Sequence, residues 1–169
     1  MKIFLLGFMG AGKTTIGKYA ARHNGLEFLD LDAWIEEQQG KEIRQIFAEQ
    51  GEATFREIER QALNAVIAQE ADLLISTGGG TPCFFDNVAR MNAAGPTIYL
   101  DLGAARLTDR LRKSKGKRPL IESLKGDLQV FVHKKLMQRA PFYAQAQYIL
   151  PEREANKKGV SDLVATLVR

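Results

Sequence analysis

The chain reads as short apolar runs separated by longer stretches with helical spacing. The runs at 3–7, 26–30, 73–77, 97–101 and 147–150 are continuous rather than alternating, the pattern of strands covered on both faces. Between them, segments at 13–23, 32–39, 43–50, 53–69, 85–92, 104–113, 127–139 and 160–168 repeat apolar residues on a helical period. Punctuation supports the boundaries. Asn24-Gly25 closes the first helix, Asp127 is placed to cap a late one, and Gly95-Pro96 breaks the chain before the fourth strand. Strands alternating with helices predict an α/β fold with a mainly parallel sheet and right-handed crossovers.

Composition narrows the setting. A chain of 169 residues, 45% hydrophobic, suits one domain with a sizeable core and leaves no room for a second catalytic domain. No apolar run approaches the roughly 18 residues of a membrane span, so no membrane partner is expected. The single cysteine, Cys83, cannot form an internal disulfide, which fits a reducing cytoplasm. A net charge of +4 favours anionic partners. Segment 106–118 holds seven basic residues against one Asp, ends at Pro119, and continues as a polar stretch to Gly126. It reads as a helix running into a mobile, positively charged loop. No nucleic-acid motif with aromatic platforms accompanies it, so nucleic acid is not an expected partner.

Residues 7–14, GFMGAGKT, fit G-x-x-x-x-G-K-[ST] directly after the first strand and at the start of the first helix, the context this pattern requires. Gly7, Gly10 and Gly12 allow backbone N–H groups to approach phosphate oxygens, and the helix N-terminus adds its positive end. Lys13 supplies a mobile ammonium for the β- and γ-phosphates of a nucleotide, and the Thr14 hydroxyl can ligate Mg²⁺.

The third strand ends in Gly78-Gly79-Gly80 and offers no second metal acid. The second strand ends in Asp30-Leu31-Asp32, at the edge where open α/β sheets bind ligands. In an extended segment the two carboxylates share a direction, one suited to the metal's water shell and one to an acceptor hydroxyl. The bland alternative is that Asp32 caps the helix beginning at Ala33. Three glycines at the same edge suggest a wall where backbone amides approach a small polar molecule.

Taken together, residues 7–15 (GFMGAGKTT), Asp30-Leu31-Asp32, 55–59 (FREIE), Gly78-Gly79-Gly80, Arg118-Pro119-Leu120 and 139–143 (RAPFY) resemble the shikimate kinase family over essentially the whole chain. The resemblance implies a three-layer α/β/α P-loop kinase with a five-stranded parallel sheet in the order 2-3-1-4-5. It also implies a mobile lid near 112–126 and a helical substrate-binding segment near 32–60. The implied reaction moves the γ-phosphoryl of ATP, with Mg²⁺, to the 3-hydroxyl of shikimate, by a cytoplasmic and monomeric enzyme.

By the same resemblance, Gly10, Ala11, Gly12, Lys13, Thr14 and Thr15 hold the ATP phosphates, with Thr14 and Asp30 at the metal. Asp32 binds the acceptor hydroxyl as candidate base, Arg56 and Arg139 clamp the shikimate carboxylate, Glu59 orients Arg56, and Gly78, Gly79 and Gly80 line the substrate. Arg118 reaches the transferred phosphate from the lid. Either Arg110 or Arg112 stacks on adenine, with Arg112 preferred, and a loop near 153–157 completes the adenine side. A sugar-acid kinase, a nucleoside monophosphate kinase and a GTPase share the phosphate loop. None accounts for the acid pair, the glycine run and Arg139 together, and the near match to a guanine motif at Asn156-Lys157-Lys158-Gly159 puts glycine where an acid belongs.

Overall fold

A computed structural model describes residues 1–114 and 126–169. Five parallel strands, β1 (Lys2–Leu6), β2 (Glu27–Asp30), β3 (Leu73–Ser76), β4 (Thr97–Asp101) and β5 (Tyr148–Pro151), form one sheet in the order β2-β3-β1-β4-β5. Phe4 of β1 lies opposite Ile75 of β3 and Thr97 of β4, which fixes the centre of the sheet. Every residue of β1 and β3 is buried. Because successive side chains point to opposite faces, both faces must be covered, which is the three-layer arrangement.

Between the strands run α1 (Lys13–His23), α2 (Leu31–Gln39), α3 (Ile43–Ile67), α4 (Asn87–Ala94), α5 (Ala104–Lys113) and α6 (Leu128–Tyr143), and α7 (Lys157–Leu167) follows β5. Helix α1 packs against α7, α2 against α3, and α5 against α6. A core of Phe4, Leu5, Leu6, Leu63, Leu74, Ile75, Ile98 and Tyr143, among others, fills the space between them.

Differences from the sequence-based expectation have local causes. The two helices expected at 43–50 and 53–69 are the halves of α3, joined across Gly51, whose left-handed φ of 80° breaks the helical path. The helix expected from 85 begins at Asn87 instead, because Thr81–Cys83 forms a 3-10 turn around Pro82 and Phe85 adopts a φ of 51°. Helix α6 continues four residues past Arg139, through Pro141. The last helix starts three residues early because Asn156 caps it, accepting from Gly159 N–H at 3.0 Å. Asp127 caps α6 as expected, accepting from Gln129 N–H at 2.7 Å. The lid expected across 112–126, with Arg118, falls for the most part outside the described residues.

Candidate active site

Strand β1 hands the chain to α1 through a loop in which Gly10 (φ 84°) and Gly12 (φ 93°) sit in the left-handed region that glycine alone enters freely. Gly12 caps α1 without a side chain, so the first amides of the helix are left to an anion. Lys13 folds back over the loop, its buried Nζ donating to Gly7 O at 2.7 Å and Phe8 O at 3.2 Å. Beside the loop, a cavity of about 370 Å³ is lined by Gly10, Gly12, Thr15, Arg110, Ala155, Asn156 and Lys157. Arg110 Nη1 donates to Ala11 O at 2.8 Å and Gly10 O at 3.3 Å.

Arg110 rather than Arg112 is therefore the arginine whose guanidinium reaches the phosphate loop, whereas the sequence preference for the adenine side was Arg112. Leu107, Thr108 and Leu111 form the buried stripe of α5. At 100° per residue, Arg110 and Arg112 flank that stripe on opposite sides, and Arg112 is exposed. The segment 153–157 does contribute to the cavity, through Ala155, Asn156 and Lys157.

The acid pair is not an extended i, i+2 pair. Asp30 ends β2 and caps α2, its Oδ1 accepting from Asp32 N–H at 3.2 Å and Ala33 N–H at 3.4 Å. The cap is thus Asp30, and Asp32 lies inside the first turn of α2. The other oxygen of Asp30, Oδ2, accepts from Thr14 Oγ1 at 2.7 Å, so the two proposed metal residues already face each other across the loop. Burial, then the charges of Glu59 and Asp30, push the Asp32 carboxyl from its ordinary 3.8 up to about 6, against the opposing pull of Lys13.

The three glycines explain how the rest converges. A Cβ on Gly78 would lie 2.8 Å from Asp32 Oδ1 and 3.1 Å from Glu59 Oε1. One on Gly79 would lie 3.1 Å from Arg139 Nη1 and 3.3 Å from Met9 N, and one on Gly80 would lie 2.7 Å from Arg56 Nη1. Three consecutive positions without side chains let a carboxyl and two guanidinium groups crowd one turn beside the phosphate loop. Arg56 is buried, donates to Glu59 Oε2 at 2.9 Å, and sits over the ring of Phe84, 4.1 Å from its centroid. Arg139 Nη1 is buried and has no hydrogen-bond partner among the described residues.

Two contributors escaped the sequence reading. Thr81 donates from Oγ1 to Glu59 Oε1 at 2.6 Å, tying the glycine turn to the carboxylate that holds Arg56. Phe84 covers the guanidinium. Both follow the glycine run within four residues, and that proximity was the available signal.

A parallel sheet in this strand order, with a phosphate loop after its central strand and Asp30 at the end of the edge strand β2, defines a P-loop phosphotransferase. The shikimate kinase family profile matches residues 9–168. A shikimate kinase of Parabacteroides distasonis is 46% identical over 170 residues, covering 99% of this chain and 98% of that protein. One from Bacteroides fragilis is 49% identical, covering 88% and 83%. Among solved structures, a shikimate kinase from Bacteroides thetaiotaomicron superposes with a TM-score of 0.91 at 42% identity, covering 99% of this chain and 98% of that one. Another, from Acinetobacter baumannii in complex with shikimate, gives 0.84 at 33% identity, covering 99% and 90%. The chain belongs to the shikimate kinase family.

Proposed function

We propose that this chain transfers the γ-phosphoryl group of ATP to the 3-hydroxyl of shikimate, releasing ADP and shikimate 3-phosphate. The observation that carries the reading is the convergence of Asp32, Arg56 and Arg139 on Gly78–Gly80, directly against the phosphate loop. Two arginines within reach of one pocket, one of them with a buried N–H unpaired among the described residues, suit a carboxylate. A carboxyl across the same turn suits a hydroxyl.

In this mechanism Gly10, Ala11, Gly12, Lys13, Thr14 and Thr15 cradle the phosphates, and Arg110 with the 155–157 segment receives the adenine. Thr14 and Asp30 present hard oxygen donors 2.7 Å apart, a set that fits Mg²⁺ held largely by nucleotide phosphates and water. When bound, the ion would neutralise charge on the β- and γ-phosphates. Arg56 and Arg139 fix the shikimate carboxylate and so set the distance from it to the reacting hydroxyl. Asp32 accepts a hydrogen bond from that hydroxyl and takes its proton as the new P–O bond forms. With a pKa near 6 it is mostly ionised at neutral pH yet basic enough to accept. Phosphoryl transfer passes through a loose transition state, so positioning and charge compensation dominate, and Lys13 stands at the transferring group. Arg118 would add a second positive charge from the lid. Cys83 is a free thiol whose pKa burial pushes up to about 11, so it stays protonated at neutral pH.

The decisive experiment measures ADP release with Mg·ATP against shikimate, quinate, gluconate, AMP and CMP, with product mass. Phosphorylated shikimate is the expected product. Preference for a nucleotide or for gluconate would overturn the assignment.

A further inference from the structure

Helix α6 reaches the pocket twice in its last turn. Arg139 brings a charge, and four residues later Tyr143 brings a phenol on the same helical face. Tyr143 is completely buried, its ring stacked on Tyr99 at 4.9 Å between centroids. Packing alone would be served by phenylalanine. The hydroxyl instead donates to Gly79 O at 2.6 Å, inside the glycine turn. Burial raises the phenol's pKa above its ordinary 10, against the pull of Arg139, so the group remains a donor throughout the working pH range.

A trans peptide sets the carbonyl of one residue and the N–H of the next in opposite directions. Holding Gly79 C=O toward α6 therefore turns the Gly80 N–H away from α6. That N–H has no backbone acceptor among the described residues. We propose that Tyr143 is a positioning residue for the acceptor site, fixing the Gly79–Gly80 peptide so that its N–H is presented to shikimate in register with Arg139. Without the phenol, a peptide flanked by glycines could rotate at little cost. The proposal rests on the reading that shikimate binds against Gly78–Gly80.

Tyr143→Phe removes the donor and keeps the ring. Tyr99→Phe serves as control, since it deletes the phenol of the stacked partner, which bonds Asp101 Oδ1 at 3.1 Å rather than the glycine turn. The expected result is a KM for shikimate raised about three- to tenfold in Tyr143→Phe, the scale of one lost hydrogen bond, with the KM for ATP unchanged and Tyr99→Phe like wild type. Independently of folding of the variant, the Gly80 amide resonance of the ¹⁵N-labelled wild-type protein should move when shikimate is titrated. A wild-type KM in Tyr143→Phe, an equal rise for both substrates, the same rise in Tyr99→Phe, or a Gly80 resonance indifferent to shikimate would each overturn the proposal. If the wild type itself leaves shikimate unphosphorylated, the functional reading fails instead, and the anchor loses its ligand with it.

Discussion

Asp32 is expected to weaken the fold that holds it. Its carboxyl titrates near 6 in the folded protein and at the ordinary 3.8 when unfolded. The folded state thus binds this proton more tightly, so stability is full below 3.8 and declines as pH rises through about 6. A gap of roughly two pH units corresponds to about 3 kcal/mol at 1.36 kcal/mol each. The residue is only half-buried by surface area, and water reaching it trims this to about 2 kcal/mol. Asp32→Asn removes the ionisation and offers an amide donor to Glu59 and Asp30. At pH 8 the variant should melt about 4–8 °C above wild type, a gain that shrinks toward zero near pH 4. Turnover should meanwhile fall by orders of magnitude. Thermal scans of both proteins without ligands from pH 4 to 8.5, with initial rates at pH 7.5, provide the check. A melting difference independent of pH, or a variant less stable than wild type at pH 8, would refute the electrostatic account. Normal turnover would refute the role as base.

Other substitutions separate the parts of the site. Lys13→Ala should lower kcat at least about a hundredfold while far-ultraviolet circular dichroism shows the fold retained; a rate near wild type would remove Lys13 from the mechanism. Arg139→Ala should raise the KM for shikimate about ten- to a hundredfold, the scale of a charged hydrogen-bonded pair, and leave that for ATP alone. Should only the ATP constant change, the carboxylate clamp is misassigned. Gly80→Ala isolates space from backbone conformation, because Gly80 has an ordinary φ of −92° and ψ of −20°. Its new methyl would meet the Arg56 guanidinium at 2.7–3.0 Å. Glu59, Glu52 and Phe84 hold that group in place, so shikimate affinity should drop more than about tenfold in steady-state assays. Unchanged affinity would show that Arg56 yields.

The parts legible in the sequence were those with one-dimensional signals. Continuous apolar runs gave the five strands, and GFMGAGKT in strand-to-helix context gave the phosphate loop. Helix breaks at Gly51 and caps at Asp127 follow from residue type. The acid pair was misread in detail because i, i+2 geometry depends on whether a strand or a helix follows, and Asp30 ends one element while starting the other. The choice between Arg110 and Arg112 stayed open in the sequence for a related reason. Two arginines on either side of a buried stripe look equivalent in sequence, and only the packing of α5 on the phosphate loop distinguishes them. Arg56 and Arg139 were identified by family resemblance, since nothing local separates them from surface arginines. The glycine run is the reverse case, visible at once but meaningless until the side chains around it were placed.

Glu59 shows why these residues cannot be treated one at a time. It is almost fully buried, yet it accepts from Arg56 on one oxygen and from Thr81 on the other. Its charge is also the second largest influence raising the Asp32 pKa. One carboxylate therefore performs two tasks that oppose each other electrostatically. It pairs with Arg56, proposed to bind substrate, and it raises the pKa of Asp32, the proposed base. Thr81 limits the conflict by holding Glu59 against the glycine turn, where it can serve both groups without moving. A neutral residue at position 59 would free Arg56 to bind shikimate more strongly in charge terms, but it would leave the guanidinium without its orienting partner and Asp32 less basic. In the proposed mechanism the buried acid thus serves geometry and proton affinity, at a desolvation cost that an apolar side chain would avoid.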